Sequence, residues 1–98
     1  MLTRIVKLSF EESNIEIFLE IFNINKNSIR NFEGCRLLQL LRDKENPSIF
    51  FSYSYWESVN DLENYRKSEL FKRVWAETKV LFNSKPEAWS VDEIESLT

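Results

Sequence analysis

The sequence predicts an α+β fold, four strands and two helical segments in the order β-α-β-β-α-β. Three observations carry this. Leu2–Phe10 and Cys35–Arg42 send apolar side chains to alternating sides, and Ile49–Trp56 is a run of β-branched and aromatic residues. Two further stretches repeat apolar residues at steps of three and four, beginning near Ile15 and near Leu70. The polar link Asp43–Ser48 is too short for a crossover, so the strands on either side of it must pair antiparallel.

Composition narrows the function classes. The 98 residues suit one domain spanning 1–98. Thirteen Lys and Arg against 16 Asp and Glu give a net charge of -3, which offers no general attraction to phosphates or anionic lipid, so neither nucleic acid nor a membrane is expected as a partner. No apolar run approaches the roughly 20 residues needed to span a bilayer, and no basic segment followed by an apolar core opens the chain; a cytoplasmic location is expected. A lone Cys35 excludes an internal disulfide, and with no histidine the common zinc and iron sites lose their usual ligands, so no metal is expected. A single glycine cannot build a phosphate-binding loop, and no cofactor is expected. The missing histidine also excludes Ser-His and Cys-His nucleophile pairs.

Each element has a local reason. In the first strand Leu2, Val6, Leu8 and Phe10 share one side and Thr3, Lys7 and Ser9 the other, with Ile5 interrupting the polar side. The first helix follows Glu11 and Glu12, acidic residues suited to a helix N-terminus, and carries Ile15, Phe18, Leu19 and Phe22 as its stripe; the polar run Asn25–Asn31 is expected as a frayed end. Gly34 suits a left-handed turn into the next strand, rather than close approach of a ligand. In that second strand Leu37 and Leu41 point one way and Leu38 and Leu40 the other. After the third strand, Ser58 and Asp61 have capping-box spacing, so a helix begins near Val59, and one long helical segment is expected through Leu70, Phe71, Val74, Trp75, Thr78, Leu81 and Phe82. Ser84–Pro86 ends it, Ala88–Val91 is a short strand, and Asp92–Thr98 an acidic tail.

This order is that of the ferredoxin-like split βαβ unit, a four-stranded antiparallel sheet with its helices on one face. Phe50 and Trp56 then lie on one face of the third strand and Phe51, Tyr53 and Tyr55 on the other. Helices cover only one face, so a second copy packed sheet to sheet, a homodimer, is the expected cover for the other.

The segments F-S-Y-S-Y-W-E-S from Phe51, L-E-N-Y-R-K-S-E-L-F from Leu62, W-A-E-T-K-x-L-F from Trp75 and P-E-A-W-S-V from Pro86, with F-E-G-C-R-L-L-Q-L-L-R-D from Phe32, resemble the antibiotic biosynthesis monooxygenase domain family. The resemblance implies a dimeric α+β barrel. It also implies cofactor-independent oxidation by dioxygen of a small quinol or anthrone-like aromatic substrate, held between the sheet and the helices. The family's aromatic residue at the end of the third strand matches Trp56. Tyr65 stands where a histidine is common, and since that histidine ligates iron in haem-degrading relatives, haem is not expected. Trp56 and Tyr65 are therefore the candidate catalytic residues, and Tyr53, Tyr55, Phe71 and Trp75 the candidate pocket residues. A tyrosine is a poor base at neutral pH but a good hydrogen-bond donor.

Other classes are weaker or remain open. RNA-recognition domains share the element order and aromatics on the third strand, but the glycines and basic residues they need there are absent. A non-catalytic dimeric module that binds a small ligand is the alternative to an oxygenase. Cys35 suits a small buried side chain, and Glu69 with Arg73 a solvated i, i+4 pair of little energy.

Overall fold

Four strands, β1 (Leu2–Ser9), β2 (Cys35–Arg42), β3 (Ile49–Trp56) and β4 (Glu87–Asp92), form one antiparallel sheet in the order β2-β3-β1-β4, in a computed structural model that describes residues 1 to 98. With α1 (Ile15–Arg30), α2 (Val59–Arg66) and α3 (Glu69–Lys79), this is the expected α+β ferredoxin-like arrangement. No helix is long and apolar enough to cross a membrane.

Register fixes which side chains meet. β1 and β3 pair throughout, from Leu2 opposite Trp56 to Ser9 opposite Ile49. The register of β2 against β3 shifts between Cys35 and Leu37, so Arg36 is the extra residue of a bulge; Cys35 faces inward with Trp56, and Leu37 outward with Tyr55. On the inner face lie two clusters of buried residues. One gathers Leu8, Phe10, Ile15, Phe18, Phe50 and Leu81. The other, at the opposite end of β1 and β3, gathers Leu2, Cys35, Trp56 and Leu62.

The helices depart from the sequence pattern in three places. A 3-10 turn over Glu12–Asn14 precedes α1, which then runs unfrayed through the polar stretch to Arg30. Asn25 is the reason that stretch stays ordered: it is buried, its Nδ2 donates to Ile21 O at 2.8 Å, and its Oδ1 accepts from Arg73 on α3 at 3.1 Å. Arg73 therefore joins α3 to α1, and the expected pair with Glu69 is absent from the ion pairs present. The single long helical segment is in fact two helices. Ser68 breaks it, its hydroxyl donating to Tyr65 O at 2.6 Å and accepting from Phe71 N at 3.1 Å, so one side chain closes α2 and caps α3. Helix α3 then ends at Lys79, before Leu81 and Phe82.

Gly34 has φ 88°, the left-handed conformation expected. Its lack of a side chain matters as well, because a Cβ there would overlap the side chain of Asp61. Asp61 is fixed in place: its N–H donates to Ser58 Oγ at 3.1 Å, and its carboxylate accepts the Ser58 hydroxyl at 3.0 Å. The turn into β2 and the cap of α2 thus require each other. Gly34→Ala is expected to cost at least about 1–3 kcal/mol through backbone strain and the displaced cap. Chemical denaturation checks it; an unchanged midpoint contradicts it.

Candidate functional site

The inner face of β3 reads Phe50, Ser52, Ser54, Trp56, large at the ends and small in the middle. Across the sheet, Ser54 stands beside Leu38 and Arg4, and Ser52 beside Leu40 and Val6. No large side chain rises from β3 between the two buried clusters, and a cavity of about 330 Å³ opens there. Its roof comes from all three helices, through Phe18, Phe22 and Ile29 of α1, Leu62 and Tyr65 of α2, and Phe71, Val74 and Trp75 of α3.

A chain of aromatic rings runs along this roof. Trp56 and Tyr65 stack at 5.0 Å between centroids with 26° between planes. Tyr65 meets Phe71 edge-on at 5.2 Å, Phe71 stacks on Trp75 at 5.9 Å, and Trp75 meets Phe82 at 5.6 Å. Such contacts add to burial and hold the rings in fixed orientations. Trp56, only 1% exposed, donates its indole N–H to Ser54 Oγ at 3.0 Å, so it offers the cavity a ring face and not a donor.

Tyr65 is different. None of the chain's hydrogen bonds engages its hydroxyl, which keeps some accessible surface, and the residue lines the cavity. Burial, with a smaller contribution from the neighbouring Cys35 thiol, pushes its pKa far above the ordinary tyrosine value. It is a neutral donor over the whole working range of pH. The Cys35 thiol is raised by burial too, 2% exposed, and donates weakly to Leu37 O at 3.6 Å.

Of the six residues singled out from sequence, Trp56, Tyr65, Phe71 and Trp75 line this one cavity. Tyr53 and Tyr55 do not, which corrects the expectation that they share it. They occupy the alternate register of β3, opposite Ile5 and Thr3, on the face no helix covers, with their rings 5.5 Å apart. Sequence reasoning missed Arg4, Ser52, Ser54 and Arg66, which also line the cavity. The available signal was parity: Arg4 falls in the apolar register of β1, and the two serines in that of β3.

Haem does not fit these residues. There is no histidine, and Cys35 is not among the lining residues. No three His, Cys, Asp or Glu side chains converge as a metal-binding group.

The family described as antibiotic biosynthesis monooxygenase matches residues 1–77. The chain belongs to the antibiotic biosynthesis monooxygenase family. Solved structures share its fold at low identity. A structure described as an antibiotic biosynthesis monooxygenase is 19% identical, with a TM-score of 0.90, over 97% of this chain and 100% of its own. A conserved protein from Methanosarcina mazei Go1 is 18% identical, with a TM-score of 0.87, over 93% and 91%. Rv0793 from Mycobacterium tuberculosis is 12% identical, with a TM-score of 0.89, over 99% and 98%. No curated protein matches the chain. Within this family fold, the cavity between sheet and helices is the candidate site.

The raised pKa of Tyr65 has a consequence for stability. Unfolded, the phenol ionises near its ordinary pKa of about 10; folded, it keeps its proton to higher pH. Its stabilising contribution is therefore complete below about pH 10 and is lost as pH climbs toward the folded value. Denaturation midpoints measured at about pH 8 and about pH 11 should fall less in Tyr65→Phe than in the native protein. Equal falls contradict a buried phenol at this position.

Proposed function

We propose that this chain is a cofactor-independent monooxygenase that oxidises a small quinol or anthrone-like aromatic with dioxygen, working as a cytoplasmic homodimer. One observation carries the proposal: the unpartnered Tyr65 hydroxyl stacked beside Trp56 in an apolar cavity of about 330 Å³. Family membership supports the same reaction class.

The chemistry asks little of the protein. An electron-rich phenol or anthrone loses a proton to water, and the anion passes one electron to dioxygen, giving superoxide and a substrate radical. These join through a new C–O bond, and the peroxide formed takes up a proton. For an anthrone, the O–O bond then breaks as the remaining proton leaves the same carbon; one oxygen stays as the ketone and the other departs as water. Tyr65 donates to the substrate oxygen and stabilises the anion, and the apolar walls strengthen that bond by excluding water. Trp56, Phe71 and Trp75 hold the ring plane.

The outer face supports the dimer. Phe51, Tyr53, Tyr55, Ile5, Leu37, Leu41, Trp89 and Val91 share it by register, and no helix lies over them. Leu41, Trp89 and Val91 are each more than 40% exposed, a costly arrangement for a lone subunit and an ordinary one at a subunit interface. Analytical ultracentrifugation should show a dimer at micromolar concentration; a monomer that does not self-associate as concentration rises contradicts this.

A second reading, a dimeric module that binds a small aromatic without oxidising it, is favoured by one observation. The only carboxylate among the lining residues, Glu87, is paired with Lys7 at 3.8 Å, so the cavity holds no free base. A panel of reduced quinols and anthrones assayed with and without oxygen separates the two. The oxygenase consumes oxygen and forms product only in air. In it, Tyr65→Phe should lower turnover about a hundredfold while binding of an apolar analogue changes little. Trp56→Phe should weaken binding itself. Oxygen-independent binding with no turnover of any panel member selects the second reading.

A further inference from the structure

One lining residue serves neither the core nor the oxidation. Arg4 stands in the inward register of β1 between Leu2 and Val6, facing Ser54 on β3 and Ser90 on β4. It is half-buried, its Nη1 donates to Ser90 Oγ at 2.9 Å, and none of the three ion pairs in the chain includes it. A guanidinium has five donors, and withdrawing its charge from water is unfavourable unless an anion meets it. Burial and the nearby Arg66 both lower the pKa of Arg4, while Glu63 raises it.

The charges around this spot do not cancel. Arg66, the last residue of α2, lines the same cavity and holds Glu63 at 3.1 Å. Glu63 therefore offsets one of the two arginines. Glu87, at the cavity edge, is occupied by Lys7. One positive charge is left beside an apolar slot, which matches a monoanion better than a doubly charged phosphate.

We propose that the ligand of this cavity is an aromatic acid, its flat ring system seated against Trp56, Tyr65 and Trp75 and its carboxylate held by the Arg4 guanidinium and steered by Arg66. The inference rests on the cavity being the ligand site proposed above. A planar fork of N–H donors suits the two oxygens of a carboxylate, and such charge-assisted bonds are about twice as strong as neutral ones. The acid group at Arg4 also sets which way round the ring enters, leaving a ring hydroxyl for Tyr65.

The test is calorimetric titration under nitrogen with two probes of nearly one shape, 1-hydroxy-2-naphthoate and 1-naphthol. The native protein should bind the naphthoate about tenfold more tightly. Arg4→Gln should erase the preference and leave 1-naphthol affinity as it was. Arg66→Gln, at an exposed helix end, should reduce the preference by a smaller factor and stands as the second variant should Arg4→Gln fail to fold. Equal affinities in the native protein overturn the inference while leaving the pocket in place. A preference that survives in both variants overturns the role given to the arginines. Binding of neither probe removes the pocket and the inference together.

Discussion

The structure depends on how β3 distributes bulk along its inner face. Phe50 and Trp56 each anchor a cluster and are almost fully buried, at 2% and 1% exposure. Between them, Ser52 and Ser54 contribute little volume. Protein interiors are close-packed, so two small residues in mid-sheet leave space unless neighbours collapse into it. Collapse is resisted here because the roof is propped at both ends. Phe10 stacks on Phe18 at 4.3 Å at one end, and Leu62 packs with Trp56 at the other. The cavity is the gap between two well-packed cores, and the fold needs both to keep it open.

The break at Ser68 is the second condition. A continuous helix from Val59 would carry Tyr65 and Phe71 on one straight axis, six residues and about 9 Å apart along it. The Ser68 side chain lets α3 start in a new direction, and the Tyr65 and Phe71 rings instead meet at 5.2 Å. α3 then turns Val74 and Trp75 to the cavity as well, while Arg73 reaches α1 through Asn25. The same hydroxyl that ends one helix and starts the next thus places the roof over the cavity. Asp61 has a similar double role, holding the Ser58 cap of α2 while occupying the space Gly34 leaves.

Most of this fold was legible in the sequence, and the reasons are physical. Strands β2 and β3 have the bounds that their patterns predict, because Gly34, the polar link Asp43–Ser48 and Ser58 punctuate their ends. The helix break was not legible, because Leu70, Phe71, Val74 and Trp75 keep their helical spacing whether or not α2 continues into α3. Asn25 looked like a frayed end because its partner, Arg73, is 48 residues away. Of the site, the aromatic residues were visible and the polar ones were not. Tyr53 and Tyr55 drew attention as aromatics, yet alternation assigned them to the outer face. Ser52 and Ser54 drew none, since the feature they create is an absence of volume. Arg4 is the case where a local rule fails in a useful way, a charge in an apolar register with no ion-pair partner in the chain.

The polar groups of the cavity act in one direction. Tyr65 keeps its proton, Trp56 has spent its donor on Ser54, and the arginines donate and never accept. Every available group can stabilise negative charge on a ligand, and none is free to remove a proton from it. In the proposed oxidation the substrate therefore loses its proton to water or arrives already ionised, so its own acidity governs how much of the reactive anion forms. The proposed reaction then rests on selection, favouring molecules whose anion is accessible at neutral pH and whose ring fits the slot. A histidine at position 65 could accept a proton in the physiological range, as a phenol with a raised pKa cannot. With tyrosine in that place, the proposed site holds an anion that the solvent has made.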